Sequence, residues 1–94
     1  MPLTNSVDFK AMIGKGNRIQ IPTLIRWEFK LESTQLLRVQ VRQFAHGIDE
    51  TFYVKMTKDG RITIPKLNTS LMQNQFGEEE NLFHFAFEVT IRPG

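Results

Sequence analysis

Arg18, Arg26 and Arg61 are the residues with the clearest chemistry in this 94-residue chain. Arg18 and Arg61 each stand between a turn and a short pair of alternating isoleucines, while Arg26 stands near the start of an amphipathic stretch. A guanidinium at a turn-to-strand junction or a helix start can fork onto phosphate oxygens, and a repeated pair would face two successive backbone segments of a polyanion. Lys10, Lys15 and Lys30 extend the set in the first half of the chain, and Lys58 in the second. The repeated arginines also have a structural reading. An Arg beside a tight turn satisfies the turn's carbonyls or pairs with an acid such as Asp59, and it would recur for that reason alone.

The charge distribution supports the first reading more than the total does. Net charge is +2 with a pI near 9.2, which permits a polyanion partner without requiring one. Residues 1–47 hold seven bases against three acids, giving +4, and residues 48–94 hold five against seven, giving −2. A nucleic-acid face is therefore expected to draw mainly on the first half.

Other chemistries find little support. His46 and His84 are the only histidines, and neither lies at metal-ligand spacing with an acid. Glu78-Glu79-Glu80 reads as a solvated loop or helix end, and Gly14-Lys15-Gly16 is too short for a phosphate-cradling loop. With no cysteine there is neither a disulfide framework nor a thiolate metal site. The chain is expected not to be an enzyme and to use no cofactor, metal or small-molecule substrate. No run approaches the roughly 18 apolar residues of a membrane span, and no leader pattern opens the chain, so a cytoplasmic, non-membrane location is expected.

The elements that must position these residues come in two copies. Lys15-Gly16-Asn17-Arg18-Ile19-Gln20-Ile21-Pro22 aligns with Lys58-Asp59-Gly60-Arg61-Ile62-Thr63-Ile64-Pro65, a period of 43 residues. In the first copy Val7, Phe9, Ala11 and Ile13 alternate with polar positions as in a half-buried strand. Gly14 to Asn17 supplies turn residues tolerant of positive φ, and Arg18 to Ile21 forms a short second strand. Pro22 ends that strand and opens a helix, with Leu24, Trp27, Glu28 and Leu31 at helical spacing and Ile25 and Phe29 beside them. Gln35 to Arg42 then returns to alternation.

The second copy predicts a strand over Thr51–Thr57, a turn at Lys58-Asp59-Gly60, a strand over Arg61–Ile64 and a helix from about Lys66, stopped by Gly77. Leu67, Leu71, Met72 and Phe76 give that helix its apolar positions. A last strand places Phe83, Phe85, Phe87, Val89 and Ile91 on one face, which reads as core rather than as a base-stacking platform. Trp27 is left open between packing and partner contact. His46 to Glu50 joins the copies. One β-β-α-β unit has open strand edges and an uncovered apolar face, so the second copy is its natural partner. The prediction is a single β-rich α+β domain over residues 1–94, with repeats at about 5–46 and 48–93 closing a small barrel about a pseudo-twofold axis.

This pattern, Gly/Asn-Arg-Ile-x-Ile-Pro followed by an Arg-bearing helix and an alternating strand, resembles the AbrB/SpoVT swapped-hairpin family of transition-state regulators and antitoxins. Double-psi barrels duplicate a similar unit with a Gly-Asp turn. The resemblance covers most of the chain and implies a built-in pseudo-dimer, a transcriptional regulator of double-stranded DNA, and further assembly into a homodimer. It places DNA-contacting arginines at Arg18, Arg61 and Arg26. The second arginine of the family's helical pair is Trp27 here, the matching positions of the second copy are Thr69 and Ser70, and basic residues of the family's first strand fall on Ala11 and Met12. The alternative reading is a double-psi-type protein-interaction or assembly module without DNA affinity.

Overall fold

The computed structural model describes residues 6–28, 30–33, 35–76 and 81–93. Alternating apolar residues form strands β1 (Val7–Met12), β3 (Leu36–Gln43), β4 (Ile48–Lys55) and β6 (Ala86–Pro93), and the isoleucine pairs form the short strands β2 (Arg18–Gln20) and β5 (Arg61–Thr63). Helices α1 (Thr23–Glu28) and α2 (Lys66–Gln73) follow Pro22 and Pro65, so each copy has the β-β-α-β order that the repeat predicts. No helix among the described residues is long and apolar enough to cross a membrane.

Four strands make one antiparallel sheet in the order β1-β6-β3-β4, and β2 pairs with β5 in a separate ribbon. The registers obey the repeat. In the ribbon Ile19 pairs with Ile62, its equivalent one period on, and in the large sheet Gln40 pairs with Thr90 while Val39–Ile91 and Val41–Val89 flank them. Phe9 opposite Val89 is matched by Phe52 opposite Val39. A pseudo-twofold axis therefore passes through the centre of the ribbon and the centre of the large sheet, setting them on opposite sides of the core.

Their inner faces meet in one apolar cluster that includes Ile19, Ile62, Leu37, Val39, Val41, Phe87, Val89 and Ile91, all essentially inaccessible. Removing apolar area from water at about 25 cal/mol per Å² is what holds the two layers together. The predicted closed barrel does not form: the strands remain in two sheets. The physical reason is strand length. β2 and β5 span three residues each before Pro22 and Pro65 intervene, enough to pair with one another but not to zip along β1 and β4 as well.

Three other expectations are corrected. Leu24, Leu67 and Leu71 do not turn inward, and α1 contains no fully buried residue; Leu24 is 75% exposed, and Trp27, whose place the sequence left open, is 74% exposed. α2 instead packs through Met72, with Phe76 just beyond its end. Phe83 does not open the last strand, because Leu82–His84 forms a 3-10 turn capped by the Asn81 side chain accepting from the Phe83 N–H at 2.9 Å. Phe83 and Phe85 are only partly buried, whereas Phe87 fills the core. The segment between the copies is shorter than expected: β4 already begins at Ile48, after a 3-10 turn over Phe44–His46 and Gly47. Phe29, Gly77 and the Glu78-Glu79-Glu80 run lie outside the described residues.

Candidate nucleic-acid interface

The ribbon turns its isoleucines into the core, so period-two alternation sends Arg18, Gln20, Arg61 and Thr63 to its outer face. Arg18 lies opposite Thr63, and Gln20 lies opposite Arg61. Two turns brace the strands at either end. Asn17 at φ 60° and Gly60 at φ 83° occupy equivalent left-handed positions, which Asn and Gly adopt at little steric cost. Each turn's carbonyl crosses to the other repeat: Ile64 N–H donates to Asn17 O at 2.8 Å, and Ile21 N–H to Gly60 O at 2.9 Å. Inside the hairpins, Gly14 N–H donates to Arg18 O at 2.7 Å and Thr57 N–H to Arg61 O at 2.8 Å. The backbone that carries both arginines is thus fixed from both repeats.

The side chains break this symmetry. The Gln20 amide donates to Asp59 O and Gly60 O, each at 3.2 Å, and its carbonyl accepts from Arg61 Nε at 3.1 Å. Asp59 adds an ion pair to Arg61 Nε at 3.6 Å, as the structural reading of these arginines expected, and accepts a hydrogen bond from the Thr57 hydroxyl. That hydroxyl bond, helped by the charges of Arg61 and Arg18, holds the Asp59 carboxyl below its ordinary value. Arg61 is therefore aimed by its Nε, and its two terminal nitrogens keep no partner among the described residues.

Arg18 has no such anchor. The residue equivalent to Gln20 in the second repeat is Thr63, too short to reach back to it, and the Arg18 side chain makes no hydrogen bond or ion pair among the described residues. It lines an open cleft of about 290 Å³ with Met12, Gly14, Lys15, Gln20 and Arg61. Lys15, Arg18 and Arg61 thereby line one cleft, with Lys58 exposed in the turn equivalent to that of Lys15.

The remaining predicted residues go elsewhere. Arg26 is half-buried: its guanidinium lies on Gly60 across the axis, its Nη2 donates to Thr23 Oγ1 at 3.0 Å, and its Nε is buried without a partner. Lys10 lies on the outer face of the large sheet, opposite Glu88, and Lys30 is exposed beyond α1 at φ 52°. Lys10, Lys15, Arg18, Arg26 and Lys30, the first-half bases expected to supply a nucleic-acid face, thus do not share one surface. Gln20 and Thr63 were not singled out from the sequence, although their alternation with Ile19, Ile21, Ile62 and Ile64 already places them beside the arginines.

No family model matches the chain, and a search of the curated proteins finds no match. Among solved structures, the fold is similar to the solution structure of PHS018 from Pyrococcus horikoshii, with a TM-score of 0.71 at 18% identity, over 92% of this chain and 88% of that one. At that identity the likeness concerns the fold alone.

Proposed function

We propose that this protein binds double-stranded DNA by laying the β2–β5 ribbon into the major groove. The observation that carries this reading is the outer face of the ribbon, where Arg18 and Arg61 project from a backbone braced by both repeats. The major groove, about 12 Å wide, admits a two-stranded ribbon. Three-residue strands are about 10 Å long and fit within it. Arg18, free to fork, contacts phosphate or the O6/N7 edge of guanine; Arg61, oriented by Gln20, contacts the opposite backbone; Lys15 and Lys58 add phosphate contacts from the turns. Arg26 acts through Gly60 by setting the turn that leads into Arg61. This agrees with the resemblance to AbrB/SpoVT regulators, which supports a swapped-hairpin threading and a role in transcription regulation.

Amide chemical shifts recorded during addition of a mixed-sequence duplex test the reading. Shifts concentrated at residues 14–20 and 57–63 are expected. Shifts confined to α1 or to the large sheet, or none at low salt, would refute it.

One observation favours the alternative of a protein-interaction or assembly module: Leu24 and Trp27 on α1 are three-quarters exposed. A homodimer formed through Trp27, measured by sedimentation and abolished by Trp27→Ser, with no affinity for any duplex, would favour that reading over the first.

A further inference from the structure

On the outer face of the large sheet, two cross-strand rows contrast in charge, on either side of a row of Asp8, Thr90, Gln40 and Thr51 that holds one acid at the β1 edge. In the first, Lys10, Glu88, Arg42 and Asp49 lie side by side across β1, β6, β3 and β4, so positive and negative charges alternate and cancel. In the second, Arg92 lies opposite Arg38, and Arg38 lies opposite Tyr53. Residues directly opposed on neighbouring strands have Cβ atoms about 5 Å apart, where like charges repel. Lys55 adds a third cation two residues along the same face, opposite Leu36. Among the described residues neither the Arg38 nor the Arg92 side chain has a hydrogen bond or an ion pair, and Tyr53 is 57% exposed.

We infer that this face is a second binding site, for single-stranded nucleic acid. Two adjacent guanidiniums chelate one phosphate, relieving their mutual repulsion, and Lys55 takes the next phosphate along the strand. The exposed Tyr53 ring beside them offers a stacking surface for an unpaired base. A free phosphate would leave that ring unused. A duplex does not fit, because four strands about 4.8 Å apart make a surface roughly 14 Å across, wider than the major groove. The axis sets this face on the side of the core away from the ribbon, so a paired and an unpaired segment can be held at once. The inference does not rest on the ribbon reading.

Anisotropy of fluorescein-labelled decathymidylate tests it, using wild type, Arg38→Gln/Arg92→Gln, Tyr53→Ala, Tyr53→Phe, and Arg18→Ala/Arg61→Ala as the ribbon control. All these side chains are on outer faces, and thermal melts of each variant check that the fold is kept. The expected result is a loss of affinity of about tenfold or more in Arg38→Gln/Arg92→Gln, and of several-fold in Tyr53→Ala but not Tyr53→Phe. The ribbon control should stay within about twofold of wild type. Absence of binding by wild type, or a loss confined to the ribbon control, would overturn the inference. So would competition by polyglutamate as effective as that by unlabelled decathymidylate, which would point to an acidic protein segment instead.

Discussion

The guanidinium of Arg26 rests on Gly60 so closely that a Cβ added to Gly60 would lie 2.4 Å from its carbon. This contact joins the helix of the first repeat to the turn of the second, next to the arginine that turn delivers to the ribbon. It gives a helix with no buried residue a fixed point of attachment.

Gly60→Ala must therefore both strain a positive φ and displace Arg26. Gly47 provides the control, since its φ is 66° and nothing lies within 4 Å of its missing Cβ. Chemical denaturation should show Gly47→Ala costing about 1 to 2 kcal/mol from backbone strain alone. Gly60→Ala should cost about 1 kcal/mol more, and that excess should vanish in an Arg26→Ala background. Equal costs at the two glycines would show that the Arg26 contact contributes nothing.

The two ribbon arginines should respond differently to their neighbours. Arg18→Ala is expected to weaken duplex binding about tenfold, as loss of an unencumbered forked contact does. Arg61→Ala should cost less, because Asp59 already offsets part of its charge. Gln20→Leu should cost about 1 kcal/mol of stability through its lost turn hydrogen bonds, and should lower affinity only by loosening Arg61. Identical losses for Arg18→Ala and Arg61→Ala would remove the asymmetry.

Asp59 supplies a pH-dependent check. A carboxyl with a lowered value in the folded state adds stability that is present above the ordinary carboxylate range and lost as pH falls through the lowered value. Wild type should therefore melt above Asp59→Ala at pH 7, with the difference closing in strong acid. Because the substitution removes a negative charge beside Arg61, duplex affinity at neutral pH should rise about two- to fivefold. Unchanged or weaker binding would separate Asp59 from the interface.

Much of this arrangement could be read before the fold was known. The 43-residue period predicts both turns, the equivalent left-handed positions at Asn17 and Gly60, and the pairing of one copy with the other, because backbone demands repeat wherever glycine, asparagine and proline repeat. Alternation places Ile19, Ile21, Ile62 and Ile64 inward and, by complement, Gln20 and Thr63 outward. What resisted reading depends on contacts between distant segments. Leu24 and Trp27 lie at helical spacing, yet α1 stops at Glu28 and is held by partly buried Ile25 and by the Arg26 contact on Gly60, leaving both of them exposed. Phe83 and Phe85 alternate as strand residues would, but the Asn81 cap closes a 3-10 turn that alternation cannot reveal. Barrel closure failed as an expectation because residue pattern says where strands lie, not whether three residues suffice to pair on both edges.

The most direct test of the central claim is the salt dependence of duplex binding, followed by fluorescence anisotropy in wild type, Arg18→Ala and Arg18→Ala/Arg61→Ala. With Lys15, Lys58, Arg18 and Arg61 engaged, a plot of log K against log salt should slope at about −3 to −4, and each lost arginine should make it shallower by about 1. A slope near zero, or one that the two arginine variants leave unchanged, would contradict a DNA-binding ribbon.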